Sequence, residues 1–434
     1  MTGSTPKAEE AGATAAAPGA TMRIARNAIS MLASDAGGEI LTTYAIALAA
    51  LSLGPAGFGV LSTSQALMDP FQALGGFGLG SIAITFAARR SGCDGALRGT
   101  LLGLRGVFGF LAAASAVVTA LAMGRRELVP LLLVLSIPTV AAATAHTSAL
   151  PFQFDQSMHR LIALPFLASV VRLGLAYLAF FFYRTPLGYV IAGAVSVLTL
   201  YAMQTFAAHR YFPVRLRFDR ELARQLVLAA WPAAVLEVVG TFYMRGSYFL
   251  LGSAGAEALG QYAAADKLVR PFFSISSAIV ASSLPTVATI AANHQFERLR
   301  RIYRKTILRA TSALVPVVAA AYVAVPWILG RFAPAYLPAI RPFRVLVFGG
   351  MFMFLNQISS TFIIGMGRFR TIMLIALGNL AVYFSLAAYL IPRYAASGAA
   401  ASTSLMEGLN TIVQLLVVRY IIRESIGEHN DRTA

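Results

Sequence analysis

The sequence predicts an all-α integral membrane protein with about twelve transmembrane helices in two pseudo-symmetric six-helix lobes. Three observations predict it: a shortage of charge, apolar blocks of membrane-spanning length, and an internal repeat. Hydrophobic residues make up 58% of the chain and charged residues 12%, with a mean hydropathy of +0.70. An ordinary soluble domain is roughly a quarter charged, so this chain cannot cover its own surface with polar groups. A soluble chain of 434 residues would also split into several cores joined by polar linkers, and no such linker occurs.

The apolar residues fall in blocks of about 20, enough to cross the hydrocarbon core as helices. Helix is required because each backbone group in lipid must be satisfied within its own segment. A β-barrel would instead show alternating segments of about 10 residues. The expected spans are 27–53, 60–88, 100–123, 129–150, 161–183, 186–208, 225–250, 258–291, 306–330, 342–365, 371–391 and 395–421; the eleventh contains no charge. Residues 1–22, rich in Ala, Gly and Thr and without an apolar core, are expected to form a disordered tail, with Met22 an alternative start.

The repeat appears when the second hairpin is laid on the eighth span at an offset of 201. Gly54, Gly59, Leu67, Pro70, Phe71 and Ser81 then fall on Gly255, Gly260, Leu268, Pro271, Phe272 and Ser282. After a five-residue insertion, Arg98, Thr100 and Leu102 meet Arg304, Thr306 and Leu308. Six helices separate the copies, and an even number preserves orientation, so the halves are parallel repeats about an axis along the membrane normal. This divides the chain into a tail (1–22), a first lobe (23–208), a basic connection (209–224) and a second lobe (225–434).

The net charge of +17 lies between the apolar blocks, not in one stripe interleaved with aromatics, which argues against a nucleic-acid partner. The side holding both termini carries twenty-three Lys and Arg residues in its loops and tails, and the opposite side only seven. Basic segments are retained in the cytoplasm, so both termini are expected there. The single Cys93 excludes a disulfide framework, and no Cys/His cluster has metal-ligand spacing.

Leu53-Gly54-Pro55-Ala56-Gly57-Phe58-Gly59, followed by a Gly-rich second helix ending in Arg89-Arg90, resembles the polysaccharide transporter family. Gly260-Gln261-Tyr262-Ala263-Ala264-Ala265-Asp266-Lys267-Leu268 resembles that family's second-half signature. The family includes the O-antigen flippases and belongs to the multidrug/oligosaccharidyl-lipid/polysaccharide (MOP) exporter superfamily. From about Met22 onward, the resemblance implies two six-helix lobes around a central cavity. It also implies alternating access that carries a polyprenyl-diphosphate-linked oligosaccharide across the bacterial inner membrane for surface polysaccharide synthesis. The implied partners are the lipid-linked substrate, membrane lipids, a proton or sodium gradient, and polysaccharide polymerase and export proteins. No cofactor is implied.

Ionisable groups inside a membrane are costly and are functional candidates by default. Arg172 on the fifth span and Lys267 and Arg270 on the eighth are the candidate substrate-binding residues, because a diphosphate suits a guanidinium fork and an ammonium group. Asp266 lies four residues before Arg270, and their mutual neutralisation is the competing account. The candidate ion-coupling or gate residues are Asp35, Glu39, Asp69, Glu237, Asp266 and Glu407. Asp35 and Glu39 share one helix face, where one holds a proton in a low-dielectric cavity unless water or a cation from another helix compensates both. Asp69 and Arg270 occupy equivalent repeat positions and are expected to meet across the lobes as a gate.

The run Gly75-Gly76-Phe77-Gly78-Leu79-Gly80 lacks the lysine and strand context of a phosphate loop; it is expected inside the second helix, with Gly76 and Gly80 as a packing face. Pro70 and Pro271 are expected to be tolerated kinks. A multidrug cation antiporter of the same superfamily is the nearest rival, though its cavity would favour acids over these cations. A membrane-embedded glycan polymerase or ligase would need a sizeable extracytoplasmic loop with catalytic acids, and the loops here are short. A scaffold that transports nothing would leave buried charges unexplained. The expectation is a transporter and not an enzyme.

Overall fold

The computed structural model describes residues 18–90, 92–155, 157–252 and 255–433, with the side chains of 18–36, 81, 236, 271–282, 285 and 428–433 outside that description. The expected disordered tail falls largely outside the described residues, and helix is described from Pro18. The helices are α1 (18–53), α2 (55–76, resumed at Leu79–Arg89), α3 (Gly95–Ala122), α4 (Val129–Phe154), α5 (Ala163–Phe182) and α6 (Pro186–Tyr211). The second lobe follows with α7 (Arg220–Leu251), α8 (Ala256–Ala292), α9 (Phe296–Phe332), α10 (Ile340–Gly365), α11 (369–394) and α12 (396–433).

Two turns are as short as a helical chain permits. Between α1 and α2 the reversal is made by Gly54 alone, at φ 65° and ψ 178°, a region open to glycine and strained for other residues. Gly255, its repeat partner, precedes α8 at φ 97° and ψ 158°. Ala395 (φ 44°) separates α11 from α12 just after Pro392. Asp94 caps α3 by accepting from the Leu97 amide at 2.8 Å, and Asp219 caps α7 through the Glu221 and Leu222 amides. The basic connection is fastened to the start of α3. Arg98 donates to the Phe212 carbonyl at 2.7 Å, the Arg217 amide to the Gly95 carbonyl at 3.0 Å, and the Asp219 amide to the Thr100 hydroxyl at 2.9 Å.

Most expected spans agree with the helices within a few residues. Three run longer: α1 is described from Pro18, nine residues before its expected start, and α12 continues to Thr433, twelve beyond its expected end. The ninth, α9, starts at Phe296, ten residues early, because the basic stretch stays helical beyond its apolar part, with Glu297 and Arg300 paired at 3.4 Å. The glycine run is also corrected. It is not continuous helix: Phe77 (φ 46°) and Gly78 (φ 62°) interrupt α2. Gly78 lies so close to α7 that a Cβ there would fall 2.7 Å from the Ala233 Cβ, and Phe77 stacks on Phe108 at 4.5 Å. Of Gly75, Gly76 and Gly80, Gly75 makes the closest approach to a neighbouring helix, at Gly109 and Ala112 of α3, while Gly76 and Gly80 each face a charged side chain, Glu237 of α7 and Arg105 of α3.

The two lobes meet most closely at the end opposite the termini, and they do so symmetrically. A Cβ on Gly59 of α2 would lie 2.9 Å from the Ala256 carbonyl carbon of α8, and closer to its oxygen. A Cβ on Gly260 of α8 would lie 2.7 Å from the Pro55 carbonyl carbon of α2, and closer to its oxygen. Gly59 with Gly260, and Pro55 with Ala256, are equivalent pairs at the offset of 201, so each glycine receives the other repeat's helix start. Around this crossing Arg125 donates to the Gly252 carbonyl, and Tyr336 donates to the Ala50 carbonyl at 2.8 Å while meeting Phe58 edge-on.

Candidate functional site

Below that crossing a cavity of about 700 Å³ lies between the lobes. It shares Glu39, Asp69, Gln72, Arg245 and Arg270 with an adjoining space of about 330 Å³. The smaller space is also lined by Arg172 and Lys267, the larger one by Glu237, Asp266 and Glu407. Eight of the nine sequence-derived candidates therefore face one connected interior; the Asp35 side chain lies outside the described residues.

The charged groups form a chain across the lobes. Asp69 of α2 is paired with Arg245 of α7 at 2.5 Å, with side chains 29% and 17% exposed. The Arg245 guanidinium also lies 5.8 Å from the Tyr248 ring centroid. Tyr248 donates to Asp266 Oδ2 at 2.9 Å, and Arg270 Nε donates to the same oxygen at 3.3 Å. The expected Asp69–Arg270 pair is thus not formed in this state. Arg270 is held by an acid one turn earlier on its own helix, and Asp69 takes the nearer guanidinium of α7. Among the described residues neither Arg172 nor Lys267 makes an ion pair, although Glu39 acts on Arg172, and Asp266 and Asp69 on Lys267, at longer range. Two cations in a membrane interior without a bonded acid are available to an anionic ligand.

Glu407 occupies a different setting, within the second lobe and 3% exposed. Tyr243 donates to its Oε1 at 2.8 Å and Asn356 to its Oε2 at 2.7 Å. A further space of about 250 Å³ beside it is lined by Asn356, Ser360, Asn379, Asn410 and Gln414. Glu237 stands at the opposite edge of the main cavity, 3.7 Å from where a Gly76 Cβ would be. Among the described residues no three His, Cys, Asp or Glu side chains are grouped to hold a metal ion.

Sequence reasoning missed Arg105 of α3 and Arg245 of α7. A complete count would have found them: of the 35 basic residues, thirty lie in loops and tails, and only three of the remaining five were singled out.

A family model described as polysaccharide biosynthesis protein matches residues 48–340. The chain belongs to that family. No curated protein matches it. Among solved structures it resembles an inward-facing multidrug resistance MATE family transporter of the MOP superfamily, at 16% identity and TM-score 0.72, covering 92% of this chain and 99% of that one. An outward-facing MATE transporter of the MOP superfamily matches at 16% identity and TM-score 0.65, covering 93% and 96%. The MATE multidrug transporter DinF-BH matches at 16% identity and TM-score 0.63, covering 96% and 98%. At these identities the likeness shows the fold, which is that of MOP-superfamily transporters: a multi-pass membrane protein of two pseudo-symmetric lobes.

Proposed function

We propose that this member of the polysaccharide biosynthesis family is a secondary transporter that flips a polyprenyl-diphosphate-linked oligosaccharide across the bacterial inner membrane by alternating access. The observation that carries the reading is the pair Arg172 and Lys267, facing one interlobe cavity without ion-pair partners among the described residues and joined there by Arg245 and Arg270. A diphosphate supplies the missing negative charge. In this reading both termini are cytoplasmic, because of the basic excess on their side. The lobes comprise 23–208 and 225–434, joined by 209–224, with 1–22 as a tail. The Gly59–Gly260 crossing seals the outer end, and release of the substrate requires it to part.

The gradient couples through the acids Glu39, Asp69, Glu237, Asp266 and Glu407, with Asp35 beside Glu39. A second reading, a multidrug cation antiporter, is favoured by the five carboxylates lining the larger space. Two of them, Asp69 and Asp266, already face guanidinium groups at bonding distance, which weakens it. The test is deletion of the gene followed by analysis of lipid-linked glycan. Accumulation on the cytoplasmic leaflet, reversed by wild type and not by the Arg172→Gln, Lys267→Gln double variant at equal abundance, supports the flippase. Normal glycan export in the deletion strain refutes it.

A further inference from the structure

The interruption of α2 creates a helix start inside the protein, and beside it lies a cation that the cavity chemistry above does not use. Leu79–Arg89 begins after Gly78, which has no side chain with which to cap it. Gly78 donates its amide to Glu237, and Gly80 in the first turn is exposed. A Cβ on Gly80 would have one heavy atom within 4 Å, Arg105 Nη2 at 3.8 Å. Arg105 is only 5% exposed: its Nε and Nη1 are enclosed with no hydrogen-bond partner among the described residues, and its Nη2 is the atom that faces Gly80. Glu237 acts on it without pairing, and His146 is the other titratable group near it.

A buried guanidinium with two idle donors is costly unless something accepts from it. A helix start is itself an anion site, with amides and dipole directed at the ligand, and here the Glu237 carboxylate takes the Gly78 amide. The Arg105 Nη2 and the helix start both lie at Gly80. Gly80 is eleven residues beyond Asp69, about 16 Å at roughly 1.5 Å per residue, on the side nearer the termini.

We propose that Arg105 and the first turn of Leu79–Arg89 form a second subsite for a phosphate-type anion, beyond Gly76 and Glu237 on the side of the cavity nearer the termini. As to the source of the phosphate, the inference rests on the flippase reading: the diphosphate of an incoming lipid docks here first and then moves inward to Arg270, Lys267 and Arg172. Glu237 holds the first amide of the turn and keeps the anion exchangeable by repelling it.

The test is titration of the purified full-length protein with inorganic pyrophosphate and, separately, with farnesyl diphosphate, by calorimetry. Wild type is expected to bind both. Loss of the Arg105 fork is expected to weaken binding at this subsite on the order of tenfold or more. Arg105→Met therefore removes one class of sites, Arg105→Lys restores part of it, and Glu237→Gln tightens it. Gly80→Glu is the second loss variant; its acid lies in a first helical turn, where the dipole favours it, so folding is retained while the carboxylate occupies the subsite.

The Arg172→Gln, Lys267→Gln variant is expected to keep the Arg105-dependent sites. If Arg105→Met and Gly80→Glu both bind like wild type while the double variant binds nothing, the subsite is overturned and the flippase reading stands. Pyrophosphate bound through Arg105 with farnesyl diphosphate excluded upholds the anion subsite and overturns the lipid as its source. Failure of wild type to bind either probe overturns the subsite and removes the diphosphate argument for the function.

Discussion

The reciprocal crossing of Gly59 and Gly260 makes a prediction whose size follows from the geometry. Gly59→Ala places a methyl group 2.9 Å from the Ala256 carbonyl carbon and 3.0 Å from the Gly260 amide nitrogen, and closer to the Ala256 oxygen. Non-bonded heavy atoms prefer roughly 3.5 Å or more, so α2 and α8 must part by on the order of 1 Å. Overpacking of this kind costs about 1–3 kcal/mol, here borne only by the state in which the lobes touch. That is about a five- to 150-fold shift of the conformational ratio toward the state open at this end.

The assay is labelling of Gln65→Cys, which lines the smaller space, by a membrane-impermeant maleimide added at the non-terminal side. The background is Cys93→Ser. Burial pushes the native thiol up to about 11, with Arg98 opposing and Asp94 adding, so it is protonated and slow at neutral pH, and its removal clears the background. Gly59→Ala and Gly260→Ala are each expected to raise the labelling rate within that range. Gly106→Ala, where nothing lies within 4 Å, is expected to leave it unchanged. Wild-type labelling and export in both crossing variants would refute the reasoning.

Three further outcomes are expected. Arg245→Gln leaves Asp69 unpaired in a partly buried setting and lowers stability by about 1–3 kcal/mol, between the limits for exposed and buried pairs, while Asp69→Arg with Arg245→Asp recovers part of the loss in a thermal-unfolding measurement. Glu407→Gln presents an amide to the Tyr243 and Asn356 donors, so export in everted vesicles should stop responding to an imposed proton or sodium gradient at normal protein abundance; a retained response would remove Glu407 from coupling. Tyr336→Phe loses the hydrogen bond to Ala50, worth about 0.5–1.5 kcal/mol, and should raise the same maleimide rate as Gly59→Ala, though less.

What the sequence made legible is what depends on neighbours along the chain. Apolar block length gave the spans, and the 201-residue offset gave the lobe relation, because a glycine needed at a helix crossing in one repeat is needed in the other. The helical basic stretch from Phe296 looks like loop in the sequence because polarity marks the membrane boundary and not the helix boundary. The partner of Asp69 was not legible, since Arg245 lies 176 residues away and the pairing depends on how α7 is rotated. Nor was the left-handed Phe77, whose placement depends on Phe108 and on the approach of Gly78 to Ala233.

Where the repeats agree and where they differ divides the molecule by task. Gly54 and Gly255, Gly59 and Gly260 are identical, and they form the turn and the crossing, which a two-fold axis can satisfy only with like residues on both sides. Six to ten positions further on, the same two helices differ in charge: Gln65 faces Asp266 in the register, Ala66 faces Lys267, and Asp69 faces Arg270. A symmetric charge set would place like charges at one depth on facing lobes, where they repel when the cavity narrows. Opposite charges at Asp69 and Arg270 avoid that conflict, and each has taken a separate partner, Arg245 and Asp266. The lobes thus close on a symmetric steric element while the substrate-facing level is electrostatically one-sided. Substitutions at the glycines should change the open-to-closed ratio with little effect on anion affinity, and substitutions at Lys267 or Arg172 the reverse. Affinity measured by calorimetry and labelling measured on the same variants would separate the two; a glycine variant that lost anion binding at unchanged labelling would break this division.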